Sequence, residues 1–150
     1  MMFLRNKNVY CKIEILGYEF HKAKHVEDLD WLNIRIEAQD DQYGWAASGS
    51  YLRASELRYF SNWFIDAFLQ SEPETRKIDF LENEIAFEYD AYSRIFKVIF
   101  DYALHPKREK YDYEADSEYS ISFKLDCDQG IEIMKTLKEM AEKYPIRQLA

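Results

Sequence analysis

The spacing of apolar residues changes along this chain, and each change marks a switch between strand and helix. Between positions 9 and 52, apolar and polar residues alternate in three segments, which is the two-residue repeat of half-buried β-strands. From Ser55 the apolar residues instead recur every three to four positions, at Leu57, Phe60, Phe64 and Phe68. This spacing predicts an amphipathic helix of about four turns that ends near Pro73, because proline cannot continue a helix. Alternation returns from Lys77, and a second helical pattern closes the chain.

Seven segments carry the strand pattern. They span residues 9–16, 31–38, 43–52, 77–82, 84–90, 94–102 and 118–126. Segment 94–102 is largely apolar on both faces, which is typical of a central strand. Gly49 in the third segment predicts a β-bulge or a close approach of the backbone. Asp126 and Gln129 have the spacing of a capping box, so the second helix should start there and end at Pro145.

The order of elements is three strands, a helix, four strands and a helix. Short connections favour antiparallel neighbours, and 150 residues are enough for one domain with its own core. The sequence therefore predicts a single α+β domain, residues 1–150, built on a twisted antiparallel sheet of about seven strands. Both amphipathic helices should pack on the apolar face of that sheet.

Net charge narrows the range of partners, and cysteine content indicates the cellular compartment. The net charge is −8, which disfavours binding to nucleic acid or to an anionic membrane surface and favours a basic protein partner. Cys11 and Cys127 are far apart in the sequence, and we expect both to be free thiols in or near the core, in a reducing compartment. The first residues lack the apolar segment of a signal peptide and no stretch reaches about 18 apolar residues, so a cytoplasmic protein is predicted.

Few residues have the spacing of catalytic or metal-binding groups. Asp28 and Asp30 precede Trp31, but nothing in the sequence gives the two carboxylates the different environments that acid–base catalysis requires. They are better interpreted as the polar start of a strand. His21 and His25 are four residues apart, yet two lysines lie between them, which opposes the binding of a metal dication. Glycine-rich phosphate loops and nucleophile elbows are missing from the sequence, so no catalytic residue, metal site or cofactor is predicted.

Two acidic stretches rich in tyrosine are the strongest candidates for a functional surface. The first lies in the polar segment 103–116, which is predicted to be a loop with an exposed His105. Its candidate contacts are Tyr111, Asp112, Tyr113, Glu114, Asp116 and, just beyond it, Glu118. The second stretch contributes the candidates Glu84, Glu88 and Asp90. Tyrosine gives rigid contact area and a field of carboxylates speeds the encounter with a basic partner, although a merely solvated surface would have the same composition.

Several short segments occur together as an ordered set. In chain order they are ILGYEF, DLDWLNIRI, SYL, SELRYFSNWF, IAFEY, FKVIF, ISFKL and YPIR, from about Ile15 to Arg147. Their order and spacing resemble those of small bacterial WapI-type immunity proteins. The resemblance implies a protein without chemistry of its own that binds and neutralises a cognate toxin domain. In the founding case of that family the toxin is the tRNA-cleaving domain of a wall-associated polymorphic toxin.

The chain departs from these proteins after FKVIF. They often carry a glutamate and prolines with a tryptophan there, where this chain has DYALHPKREKYDYEAD. Specificity for a cognate partner is expected in a variable loop. Most candidate contact residues of the first acidic stretch, which are tyrosines and carboxylates, lie in this segment. The working hypothesis is a cytoplasmic immunity protein whose acidic surface masks a basic toxin, with an RNA-cleaving nuclease as the first candidate.

Two other functions stay open at this point. One is a small enzyme that uses Asp28, Asp30 or His25 in a cleft. The other is a self-associating structural domain in which exposed aromatic residues, including Trp31 and Trp45, form a homodimer face. A deep pocket around Asp28, Asp30 or His25 would favour the enzyme. Exposure of Trp31 and Trp45 would favour the homodimer.

Overall fold

The computed structural model describes residues 1–70 and 72–149, which form eight β-strands and two α-helices. In chain order the elements are β1 (Met2–Asn6), β2 (Val9–Tyr18), β3 (Trp31–Gln39), β4 (Gly44–Arg53), α1 (Ala54–Leu69), β5 (Thr75–Ile78), β6 (Ile85–Asp90), β7 (Ile95–Phe100), β8 (Tyr119–Lys124) and α2 (Cys127–Lys143). Short 3-10 turns lie at Val26–Asp28, Tyr102–Leu104 and Arg108–Lys110. Neither of the two α-helices in the described ranges is long and apolar enough to cross a membrane.

The strands form two antiparallel sheets of four, with the strands of each sheet in chain order, β1 to β4 and β5 to β8. The predicted α+β class, the antiparallel pairing and both helices are therefore confirmed. The strands number eight instead of about seven, and they are divided between two sheets instead of forming one. The additional strand is β1, which pairs with β2 through a tight turn at Lys7 and Asn8.

Three local predictions are confirmed. β7 lies between β6 and β8, so it is an interior strand. At Gly49 the register between β3 and β4 shifts, and a Cβ atom there would lie 2.8 Å from the ring of Tyr51. α2 begins with the capping box, because the Gln129 backbone N–H donates to Asp126 Oδ1 at 2.8 Å and the Asp126 N–H donates to Gln129 Oε1 at 2.9 Å.

One continuous aromatic and aliphatic core joins the sheets and the helices. The Phe60 ring of α1 stacks on Phe87 of β6 with ring centroids 4.2 Å apart, and Phe87 stacks on Phe96 of β7 at 5.6 Å. α1 and α2 approach closely at Gly130, where a Cβ atom would lie 2.0 Å from the ring of Phe68. Contacts of this kind between elements explain why the chain contains so many aromatic residues.

A buried carboxylate fixes the start of α1 to the second half of the chain. Glu56 Oε1 accepts hydrogen bonds from the Arg53 backbone N–H at 3.1 Å and from its Nε at 3.2 Å. Glu56 Oε2 accepts a hydrogen bond from the Leu81 backbone N–H at 2.8 Å. A buried carboxylate is tolerated when its oxygens are hydrogen-bonded in this way, and here it links α1 to the segment before β6.

Two predictions about exposure are wrong, and Trp45 does not have the exposure that the homodimer alternative requires. Cys127 is exposed, because residues 126–129 at the start of α2 all face solvent. His105 is only 5% exposed, because the rings of Tyr111 and Tyr119 pack against it. Trp45 is 8% exposed and therefore offers no surface for a homodimer face. Cys11, in contrast, is buried as predicted, and burial raises the pKa of its thiol to about 12.

Candidate functional site

We call residues 101–118, which connect β7 to β8, the tyrosine loop. Its residues Leu104, His105 and Pro106 are buried, whereas most of the loop is exposed. The indole Nε1 of Trp45, on β4, donates a hydrogen bond to the Leu104 carbonyl oxygen at 2.9 Å. This buried bond holds the start of the loop against the first sheet, because breaking it would leave two unsatisfied polar groups.

Two further side chains hold the tyrosine loop in place. The His105 ring lies 4.6 Å from the Tyr111 ring, and its Nδ1 accepts a hydrogen bond from the Lys107 backbone N–H at 3.1 Å. At the end of the loop, the Tyr119 hydroxyl donates to the Asp40 carboxylate in the β3–β4 turn. His105 thus braces the loop internally, and the Tyr119 bond ties the strand that follows the loop to the first sheet. A surface ordered before binding loses less conformational entropy when a partner binds.

Two of the predicted contact carboxylates shape the loop itself. Asp116 pairs with Lys107, which lowers the pKa of Asp116, and it accepts a hydrogen bond from the Asp112 backbone N–H at 2.8 Å. Asp112 Oδ1 in turn accepts a hydrogen bond from the Glu114 backbone N–H at 2.9 Å. The Glu114 side chain is exposed and has no ion pair or hydrogen bond within residues 1–70 and 72–149. Of Asp112, Glu114 and Asp116, Glu114 is thus the residue whose carboxylate has no partner in the described ranges.

Three tyrosines of the loop form a cluster of rings, which we call the tyrosine cluster. Tyr111 lies edge-on to Tyr113 with ring centroids 5.0 Å apart, and Tyr102 stacks on Tyr113 at 5.8 Å. The Tyr111 hydroxyl donates to Asp101 Oδ1 at 2.6 Å, and this bond raises the pKa of Tyr111 to about 12. Tyr113 is 74% exposed, so a large amphipathic ring faces solvent on a fixed support.

A groove of about 310 Å³ lies beside the tyrosine cluster and is lined by all three of its rings. Glu84, the residue before β6, lines the same groove, so the fold brings together members of both acidic stretches. Glu84 Oε2 is buried and has no hydrogen-bond partner among the described residues. Burial raises the pKa of Glu84, and the carboxylates of Glu82 and Asp101 raise it further.

The other predicted contacts lie apart from this groove. Glu118 lines an adjoining groove. Glu88 forms an ion pair with Lys97 of β7 at 3.6 Å, and Asp90 accepts hydrogen bonds inside the β6–β7 turn. Since strand residues advance by about 3.3 Å each, Asp90 lies roughly 20 Å along the chain from Glu84. The fold therefore does not unite all the predicted contacts in one surface.

Tyr102 is a site residue that the strand pattern hides. The alternation of apolar residues predicts that it ends a strand, but β7 ends at Phe100 and Tyr102 begins a 3-10 turn. Its φ of 48° lies in the left-handed region, which is uncommon for a bulky residue. Apolar alternation continues through residue 102, so the local pattern contains no signal for this change of direction.

In the acid pair before β3, Asp30 has a structural role. Asp30 Oδ1 accepts a hydrogen bond from the Arg147 backbone N–H at 2.9 Å, and its carbonyl accepts one from Ala54 N–H at 2.7 Å. Arg147 Nε also donates to the Leu29 carbonyl at 2.7 Å. Asp28 ends the preceding 3-10 turn. These contacts tie the C-terminal tail to the β2–β3 connection, and the described residues contain no group of three metal-ligating side chains.

A comparison with protein families bears on the remaining interpretations. The model of the immunity protein WapI-like family matches residues 2–145, nearly the whole chain. The chain belongs to this family. Membership supports a role in immunity to a toxin and favours a binding protein over an enzyme. Searches of curated proteins and of solved structures gave no match.

Replacing Tyr119 of this WapI-like protein by phenylalanine should change how its stability depends on pH. Burial raises the pKa of Asp40, but hydrogen bonds from the Tyr119 hydroxyl and from the Tyr43 and Gln42 backbone N–H groups outweigh it, so the pKa lies below its ordinary value of 3.8. A carboxyl group with a depressed pKa contributes stability above 3.8 that is lost as the pH falls through the folded-state pKa. The variant should lose about 1 to 2 kcal/mol near pH 7 and progressively less below 3.8.

Urea denaturation of both proteins near pH 7 and near pH 2.5 measures this difference. Tyr113→Phe is the matched control, because the Tyr113 hydroxyl has no hydrogen-bond partner in the described part of the chain. An equal loss at both pH values would show that the hydroxyl does not act through the Asp40 carboxylate.

Replacing Glu84 by glutamine should stabilise the free WapI-like protein. The pKa of Glu84 is raised above its ordinary value of 4.5, so stability falls as the pH rises through the folded-state pKa. Near pH 7 the ionised carboxylate opposes folding, and glutamine removes the charge at almost the same size. Solvent screens a partly exposed group, so calorimetry should show a rise in Tm of only about 1 to 3 °C near pH 7 and none near pH 4.

Glu139→Gln is the control for this measurement, because Glu139 is an exposed carboxylate on α2. It should leave Tm unchanged at both pH values. A lower Tm of the Glu84→Gln variant near pH 7 would mean that the ionised Glu84 carboxylate stabilises the fold, which is the opposite of the expected effect.

Proposed function

We propose that this WapI-like protein neutralises a cognate bacterial toxin by binding it in a stoichiometric complex, without catalysing a reaction. The observation that carries the proposal is the tyrosine cluster, which exposes Tyr113 next to the free carboxylate of Glu114 on a loop fixed by buried contacts. Tyrosine is enriched among the residues that contribute most to protein interfaces. Family membership supplies the class of partner.

The proposed toxin is a basic domain, with an RNA-cleaving nuclease as the first candidate. A nuclease presents lysine and arginine to phosphate groups, and a protein of net charge −8 can occupy the same surface. Complementary charge also speeds association, which is useful for an inhibitor that must bind before the toxin acts. We place the complex in the cytoplasm of the cell that produces both proteins.

The proposed interface is centred on Tyr113 and Glu114 and extends to Glu84. These side chains are exposed or line the open groove. Asp112 and Asp116 support it indirectly, because their carboxylates hold the loop in shape. Glu88 and Asp90 lie outside this centre and are expected to contribute little.

Co-expression tests the proposed function. The gene next to the one for this protein is searched for a secreted toxin, and its C-terminal domain is expressed with and without the immunity protein. We expect growth arrest by the toxin alone, full rescue by the immunity protein and a 1:1 complex in size-exclusion chromatography with light scattering. The same measurement on the immunity protein alone reports its own oligomeric state.

Two outcomes would contradict the proposal. Rescue without a detectable complex would point to an enzymatic or indirect mechanism. A neighbouring toxin that arrests growth equally with and without this protein would show that toxin neutralisation is not its function.

A further inference from the structure

Glu84, which lines the groove beside the tyrosine cluster, has a carboxylate oxygen that the fold leaves without a partner. Glu84 Oε2 is buried and accepts no hydrogen bond from the described residues. A carboxylate oxygen in this position has lost water and gained no donor, which costs free energy. Such an atom in a native protein calls for a specific explanation, such as a bound water, ion or ligand group.

The walls of the groove favour a positively charged ligand group. All three rings of the tyrosine cluster line it, and the face of a tyrosine ring attracts a cation through its quadrupole. Glu109 also lines the groove, and the carboxylates of Glu82 and Asp101 lie close enough to influence Glu84. A carboxylate beside several aromatic faces is a good environment for an ammonium or guanidinium group.

Arg108 is the basic residue that lines the groove, and it does not pair with the Glu84 carboxylate. Its Nη1 donates to the Ala103 carbonyl oxygen at 2.6 Å. Arg108 and Glu84 form no ion pair in the described part of the chain. The charge of Glu84 therefore remains available to a cation from outside.

We infer that this groove receives a lysine or arginine side chain of the bound protein, with the cation against the tyrosine faces and paired with Glu84. The inference rests on the proposed function only for the identity of that protein. What the inference adds is the chemistry of one pocket, and this chemistry determines the kind of side chain that the partner must present. A basic toxin surface would supply such side chains.

An NMR titration of the full-length protein with a hexa-arginine peptide tests the inference without the toxin. A hexa-citrulline peptide of the same length is the neutral comparison. The arginine peptide, at up to about 10 mM, should shift the Tyr113 ring and Glu84 carboxyl signals, and the citrulline peptide should not. Tyr113→Ala should weaken peptide binding by about 2- to 30-fold, and Glu84→Gln by about tenfold or more.

Tyr92→Ala is the matched control variant. Tyr92 is a still more exposed tyrosine, and its backbone N–H donates to the Asp90 carboxylate, so it also lies beside an acid. It should change peptide affinity by less than about twofold. The inference is overturned if the largest shifts lie away from the groove, if the citrulline peptide shifts the same signals, or if Tyr92→Ala weakens binding as much as Tyr113→Ala.

This result and the co-expression result can be told apart. Rescue of toxin-arrested cells with no peptide binding at the groove would overturn the pocket and leave the proposed function standing. Peptide binding at the groove in a protein that fails to rescue would support the cation pocket and contradict toxin neutralisation.

Discussion

A protein with Phe87 replaced by alanine is expected to be about 3 to 5 kcal/mol less stable than the wild type. The Phe87 side chain is fully buried, stacked between Phe60 of α1 and Phe96 of β7. Removing the ring takes away its burial and leaves a cavity between the helix and the second sheet, which rigid neighbours fill only in part. Domains of this size have a free energy of unfolding of about 5 to 15 kcal/mol, so the variant should be close to unfolding.

Urea denaturation followed by tryptophan fluorescence and by circular dichroism measures this loss. Phe3→Ala removes the same side chain from a position that is 46% exposed on β1, and it should cost less than about 1.5 kcal/mol. If the two variants lost similar amounts of stability, the aromatic stack around Phe87 would not be the centre of the core.

Hydrophobic periodicity is sufficient to predict seven of the eight strands and both helices of this fold but not their assembly. α1 was predictable because its stripe of phenylalanines faces one side, and the capping box of Asp126 and Gln129 marks the start of α2 within the sequence itself. The division into two sheets was not predictable, because no local pattern states that β4 and β5 fail to pair. Strand pairing depends on contacts between residues far apart in the chain.

Local sequence patterns also did not predict the burial of individual residues. His105 lies in a polar segment, yet the rings of Tyr111 and Tyr119, both later in the chain, pack against its ring. Trp45 follows a turn, but it is buried because its indole packs against the rings of Phe100 and Tyr119 and donates a hydrogen bond to Leu104, 59 positions later. In both cases the deciding contact is a tertiary one.

The sequence predicted which residue types form the candidate site but not the role of each residue. A run of carboxylates gives no indication of which members bond within the loop, as Asp112 and Asp116 do, and which stay free, as Glu114 does. The meeting of Glu84 with Tyr113 across one groove depends on the folded path of the tyrosine loop. Tyr102 was missed because its backbone turns where the apolar alternation continues.

Combined replacement of Tyr113 and Glu114 by alanine should have the largest effect on toxin neutralisation. Both side chains are exposed, so their removal should leave the fold intact. Truncation of an interface hot spot costs about 2 to 4 kcal/mol, and loss of a carboxylate facing a basic surface mainly slows association. The double variant should therefore bind its toxin at least about 30-fold more weakly than the wild type and fail to protect cells at low expression.

The matched control changes the same two residue types on the helices. Tyr59 of α1 is 61% exposed, and Glu139 of α2 is also exposed. Tyr59→Ala combined with Glu139→Ala removes equal side-chain volume and equal charge from a surface outside the tyrosine loop, and both positions accept alanine because it favours helices.

Isothermal titration of the purified toxin domain into these three proteins tests the central claim that the tyrosine loop is the toxin-binding surface. We predict a 1:1 complex for the wild type, an unchanged Kd for the variant of Tyr59 and Glu139, and a Kd at least about 30-fold higher for the variant of Tyr113 and Glu114. An unchanged Kd for the loop variant, with affinity lost in the helix variant instead, would contradict the claim and place the interface on the helices.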